Sequence, residues 1–485
     1  MNVNPITRLD YPDLDVIRVE DTYYMVSTTM HFMPGCEILQ SFDLVHWEHA
    51  TYVYETLDHT DAQQLKSGQN IYGQGMWAAS LRYHEGRFYI CFVANDTRKT
   101  YLYTSEKIDG PWKKQLIEGF YHDGSLLFDE DGRNYIVYGN DEIWITELNE
   151  DLTAPKKDGL HRLLVSDHKN PELGYEGSHI QKINGYYYIF LIHSLRDRWM
   201  RTEACFYSDS LEGEFTGGDV LCDDRGYCGQ GVAQGGIVDT PDGKWYAMLF
   251  QDSGAVGRIP ILVPVTWKDH FPFFGQNGHV PEEIEVHSTR PGYIYQPLVG
   301  SDDFCNGLLP RWQFNHDPDP RYYHLDALQG TYTITTREVC TELTQAVNTL
   351  TQRMSYPSCA AEVTVDASAL KEGDVAGLCA LQGCYAAVGI TKHHGKYEVL
   401  MLDKKEDGIL DMTERTVVES HQMDFRLEAD FCNMKDEARC YYRVNKGDWL
   451  PIGTVHKLYF KLDHFTGCRF GLFCYAAEET GGSAC

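Results

Sequence analysis

The chain has 485 residues, too many for one ordinary core, so two domains are expected, one of them a large all-β unit. Lys and Arg number 42 against 71 Asp and Glu, a net charge of −29 that repels phosphate backbones and anionic membranes. Nucleic acid and membrane are therefore not expected partners, and a neutral or cationic ligand suits the chain better. Aromatic residues make up 13%, with 32 tyrosines and 43 glycines, a composition that favours strands punctuated by turns.

The opening residues, MNVNPITRLDYPD, lack the basic start and apolar core of a signal peptide, and no run approaches eighteen apolar residues. The 15 cysteines are an odd number, scattered singly through apolar segments such as FYICFV and GLFCYA, with no CxxC pair. Reduced, buried thiols in a cytoplasmic protein are the expectation.

One signature recurs five times along the first half: DTYYMVST from Asp21, EGRFYICFV from Glu85, DGRNYIVYG from Asp131, NGYYYIFLI from Asn184 and DGKWYAMLF from Asp242. Each places a tight polar turn before an aromatic-rich strand, and a short apolar stretch precedes every turn. A third marker follows in SFDLVHW, SEKIDGPW and SDSLEGEF. Several antiparallel strands per unit, at intervals of roughly 45 to 65 residues, fit the blades of a five-bladed β-propeller. The alternative is a large sandwich whose hairpins share the small menu of turn residues. The pattern breaks at FPFFGQNGHV and RPGYIYQP, so the propeller is assigned to residues 1–285 and a linker to 286–300. Segments such as YTITT, AAEVTVDA and DFRLEADF then alternate apolar and polar residues, as a β-sandwich over 301–485 would.

In a propeller, the starts of the innermost strands surround one channel. Ten to twelve residues before each aromatic pair stand Asp13, Trp77, Asp123, Glu176 and Gln234. Three acidic residues in one ring cost stability unless chemistry or a cation needs them; singly, Asp13 and Asp123 also suit simple turns at strand ends. Such a ring serves either hydrolysis of a glycoside by a carboxylate pair or coordination of a hard cation such as Ca2+. Phe32 and Trp77 offer flat faces for a sugar ring, while Gln234 and Arg258 offer donors to its hydroxyls.

YPDLDVIRV with Asp13, HFMPG from His31, GMWAASL with Trp77, YHDGSLLFDEDGRNY with Asp123, YEGSHIQKINGYYY with Glu176 and AQGGIVDTPDGKWY with Gln234 together resemble glycoside hydrolase family 43. These are five-bladed β-xylosidases and α-L-arabinofuranosidases, and the remainder is similar to the sandwich of their β-xylosidase-like members. The resemblance implies that Asp13 is the general base, Glu176 the general acid and Asp123 the residue that orients the acid and adjusts its pKa. An inverting mechanism needs the two carboxyl groups about 6.5 to 9.5 Å apart. It also needs a protonated Glu176, favoured by burial and a negative neighbour, and an ionised Asp13. The implied activity is exo-acting release of terminal β-D-xylose or α-L-arabinofuranose from short oligosaccharides; the alternatives are an endo-acting arabinanase and a non-catalytic sugar-binding propeller. No cofactor is needed for the chemistry, and a structural or axial Ca2+ is the one ion considered; Gln234 stands where many members carry a histidine, which argues against it. The same likeness offers Tyr385 as a lid residue, and a further acidic strand past EETGGSAC in relatives implies an altered last strand here. Uncovered sandwich edges leave room for a homo-oligomer.

Overall fold

The computed structural model describes residues 2–485, and among them the only helical elements are three single 3-10 turns. No helix is long and apolar enough to cross a membrane. Five antiparallel sheets follow one another from Asp15 to Phe274, with innermost strands Asp15–Val19, Met76–His84, Ser125–Phe128, Glu176–Ile183 and the broken pair Val232–Ala233 and Ile237–Asp239.

The aromatic strands do not alternate because both of their faces are buried between neighbouring sheets. Ile90 and Phe92 pack back towards Ile38 and Tyr54 of the first sheet, whereas Cys91 between them packs forward towards Leu126 and Ile136 of the third. Further clusters join the third sheet to the fourth and the fourth to the fifth, and a last one brings Met248 and Phe250 against Val16 and Tyr23 of the first. The ring of sheets is thereby closed. Backbone closure adds the pairing of Asn2–Val3 with Glu283–Ile284 and a parallel bridge from Leu14 to Gly235.

At the centre of the ring, Arg82 of the second sheet reaches three others at once. Its guanidinium contacts Asp15 at 2.5 Å and donates to the Ser125 hydroxyl at 2.7 Å and to the carbonyls of Leu126 and Ile180. Asp15 is fully buried and also meets the Leu81 N–H and His179 Nδ1. Burial alone would raise its carboxyl, but Arg82 and His179 override that and hold it below the usual range. The fifth sheet approaches through Gly236, where a Cβ would lie 2.8 Å from an Asp15 oxygen.

Beyond the propeller, a sheet of eight strands faces one of four, Ser358–Asp366, Gln422–Asp430, Glu437–Arg443 and Leu450–Lys457. The strand Val375–Leu381 is buried on both sides: Ala376, Leu378 and Ala380 point into the sandwich core, and Val375, Cys379 and Leu381 point away from it. The eighth strand of that sheet belongs to the propeller: Phe32–Met33 pairs with Gln313–Asn315. Beside it, Arg353 of the sandwich makes a 2.8 Å ion pair with Glu37 of the first blade and donates to the Asp10 carbonyl. Burial would raise the Glu37 carboxyl, but Arg353 and His49 bring it down to about 2.

All fifteen cysteines are free; Cys222, Cys228, Cys305 and Cys432 are exposed, where buried thiols were expected. The central ion pair has a measurable consequence. Arg82→Met strands a buried Asp15 charge and is expected to lower unfolding free energy by about 3–5 kcal/mol, read by denaturant titration. Adding Asp15→Asn should recover part of that loss; an unchanged midpoint in Arg82→Met would show that the pair does not hold the ring.

Candidate active site

Of the five ring positions read from the repeat, Asp13 and Asp123 stand two residues before their innermost strands, Trp77 and Glu176 lie at the openings of theirs, and Gln234 lies in the break between Val232–Ala233 and Ile237–Asp239. Three hold left-handed backbone: Asp13 at φ 52°, Asp123 at φ 48° and Gln234 at φ 60°. L residues adopt this conformation at a cost, and its clustering marks a functional site. At the other two, the strand register slips directly after Trp77 and after Glu176. These bulges re-aim the side chains into the channel while the strands beyond them pair normally.

Asp13 is buried and accepts from two donors, Arg258 Nη1 at 2.8 Å and the Thr28 hydroxyl at 2.7 Å. Asp123 is buried and accepts the Gly177 N–H at 3.0 Å. Glu176 keeps 22% of its side chain exposed and accepts from Asn140 Nδ2 at 2.8 Å. His122 lies between the last two, its Nε2 3.6 Å from Asp123 and 3.7 Å from Glu176. Burial was expected at Glu176; instead it falls on Asp123, whose carboxyl is pushed up to about 6 by desolvation, against the lowering effect of His122. Asp123, and then Glu176 and Asp13, hold His122 up to about 9 in spite of burial. Neighbouring groups that interact this strongly titrate as one set.

Three proposed sugar contacts are placed differently from expectation. Phe32 is 1% exposed in the cluster between sandwich and propeller, with the Arg469 guanidinium 3.5 Å from its ring centre, because its strand joins the sandwich sheet. Arg258 is buried, its Nη1 paired with Asp13 and its Nη2 donating to the Phe465 carbonyl, while its Nε has no partner. Gln234 is a buried wedge against Gly177. Trp77 remains at the channel, its ring centre 5.5 Å from Phe465 and 6.1 Å from His122. Tyr385 is fully buried, its hydroxyl accepting the Leu343 N–H at 3.4 Å, and is no lid.

The covering residue is Phe465, on the sandwich loop between Leu450–Lys457 and Arg469–Tyr475. Its ring lies 4.4 Å from the Arg258 guanidinium carbon. The Asp10 carboxylate fixes this closure by accepting both the Arg258 N–H at 2.7 Å and the Gly467 N–H at 2.8 Å. His122 and Asn140 had a legible signal, adjacency to Asp123 and a place at the end of the following strand; Phe465 had none.

His122, Asp123 and Glu176 bring one ligand atom each within 4.8 Å of one another. Ca2+ takes six to eight oxygens, and one imidazole with two carboxylates, both already accepting hydrogen bonds, does not fit it.

The electrostatic account can be tested by nitrogen-detected titration of the histidines. His122 is expected near 9, falling towards 6.5 in Asp123→Asn. A raised histidine contributes stability that is complete below pH 6.5 and is lost as pH rises through 9. A His122 titration unmoved by Asp123→Asn would remove the carboxylate as its cause.

The profile of glycosyl hydrolases family 43 matches residues 3–272, and that of the beta xylosidase C-terminal concanavalin A-like domain matches 301–485. A beta-xylosidase of Formosa agariphila is 27% identical over 99% of this chain and 88% of its own length. A non-reducing end alpha-L-arabinofuranosidase of Bacteroides ovatus is 25% identical over 67% of this chain and 63% of its own. Among solved structures, a bifunctional GH43-CE protein of Bacteroides eggerthii superimposes with a TM-score of 0.92 at 42% identity; all of this chain is matched, spanning 62% of that one. Matched over more than half its length, with the carboxylate ring in place, the chain belongs to glycosyl hydrolases family 43 and is a glycosidase.

Proposed function

We propose that the chain is an exo-acting, inverting hydrolase that releases terminal β-D-xylose or α-L-arabinofuranose from xylo- and arabinoxylo-oligosaccharides. The observation that carries this reading is the closed mouth: Phe465 of the sandwich lies over Arg258 and beside Trp77, so the carboxylates sit in a pocket suited to chain ends. An endo enzyme needs an open groove, which this loop obstructs. The names of the relatives, beta-xylosidase and non-reducing end alpha-L-arabinofuranosidase, point the same way.

In this mechanism Asp13, oriented by Arg258 and Thr28, takes a proton from water as that water attacks the anomeric carbon. Glu176, oriented by Asn140, gives a proton to the departing oxygen. Asp123 touches no substrate; it fixes Gly177, the residue after the acid, and lies beside His122. Trp77 and Phe465 present apolar faces to the sugar. The compartment that suits fifteen free thiols, four of them exposed, is the cytoplasm; recovery of the chain outside the cells that make it would overturn that assignment.

The test compares p-nitrophenyl β-D-xylopyranoside, p-nitrophenyl α-L-arabinofuranoside and xylobiose, for the parent and Glu176→Gln. Loss of a general acid costs about 10²–10⁴-fold in kcat. The larger loss is expected on xylobiose, because nitrophenolate departs with little help from an acid. Parent turnover is expected to be unchanged by a chelator. Turnover lost on chelation and restored by Ca2+ would overturn the metal-free mechanism, and no release from any of the three substrates would overturn the exo-pentosidase reading.

A further inference from the structure

Glu203 lies on the third strand of the fourth sheet, Arg201–Ser208, in the same cross-strand row as the acid: Glu176 pairs with Ile192, and Ile192 pairs with Glu203. Its side chain leaves that sheet for the fifth, where Oε2 accepts the main-chain N–H of Gln234 at 2.7 Å. The residue is fully buried, and Oε1 has no partner. Desolvation pushes its carboxyl well above the usual range, opposed only by the Gln234 N–H. A buried carboxyl so poorly compensated is costly to the fold.

The contact leads directly to the site. It anchors Gln234 in its left-handed conformation, and the Gln234 side chain fills the space beside Gly177: a Cβ added at Gly177 would lie 2.8 Å from Gln234 Cδ and Cγ. Gly177, itself at φ 65°, donates its N–H to Asp123 and directly follows Glu176. Glu203, Gln234 and Gly177 therefore form an unbroken line of contacts from the far side of the fourth sheet to two of the three site carboxylates.

We propose that Glu203 is a positioning residue for hydrolysis: by seating Gln234 against Gly177 it sets Asp123 and Glu176 relative to each other, without touching substrate. The inference rests on the hydrolase reading above. A misplacement of about 1 Å at reacting groups costs up to about a hundredfold in rate. The effect belongs in kcat, since the pocket faces that bind the sugar, Trp77 and Phe465, are untouched.

The experiment measures kcat, KM, the pH profile of kcat/KM and the thermal midpoint for the parent, Glu203→Gln, Glu203→Asp and Glu203→Leu on the preferred nitrophenyl pentoside. Glu203→Gln keeps an acceptor oxygen at the same reach and should stay within about twofold of the parent, with the parent's profile. Glu203→Leu leaves the Gln234 N–H without an acceptor; kcat should fall about tenfold or more, KM should hold within about twofold, and the profile should shift. Glu203→Asp draws the acceptor back by one methylene and should give an intermediate kcat at the parent's KM. A folded Glu203→Leu with the parent's kcat and profile would overturn the proposal. If that variant does not fold, Glu203→Asp with the parent's kcat and profile does the same. A parent without turnover fails the hydrolase reading, a distinct outcome that takes this inference with it.

Discussion

The contact between Arg82 and Asp15 is the constraint on which the rest of the propeller depends. Sheets arranged radially have no common core of their own, since each apolar cluster is built mainly by two neighbours. Something must fix all of them relative to one axis. Arg82 does so with one side chain that touches the first, third and fourth inner strands from its place on the second, while Asp15 presses on Gly236 of the fifth. A planar guanidinium with five donors is suited to this; an ammonium would not reach so many acceptors in fixed directions.

The site inherits its precision from that contact. Asp13 stands two residues before Asp15, Asp123 two before Ser125, and Gln234 two before Gly236. With so short a lever, any error at the axis would be passed almost unreduced to the carboxylates. Asp13, Asp123 and Gln234 each hold left-handed backbone just before these contacts. The strain is bearable because the strands beneath are held on both faces, so the surrounding packing over-determines the conformation.

How much of this was legible follows from what each feature depends on. The repeat was readable because every blade needs the same turn and the same doubly buried strand, and the ring residues followed from it by counting. Phe32 was misread because its neighbourhood is set by pairing with Gln313–Asn315, nearly three hundred residues away. For the same reason Phe465 could not be found: nothing in YFKLDHFTG says that it crosses to another domain. Arg258 and Gln234 were placed correctly in the chain, but their individual contacts with Asp13 and Gly177 are ones that spacing does not encode. His122 was visible in sequence beside Asp123, yet its charge comes from three carboxylates brought together only in space.

The strand Phe32–Met33 makes the two domains mechanically one. It is the outer strand of the sandwich sheet while its chain belongs to the first blade, and the Arg353–Glu37 pair buries charge from both sides of the junction. The sandwich is thereby denied a hinge: swinging it away would break a β-ladder and leave the Glu37 carboxylate buried without its partner. The mouth of the pocket is then held from both sides, since the loop bearing Phe465 is itself tied to the propeller by the Gly467 N–H on Asp10.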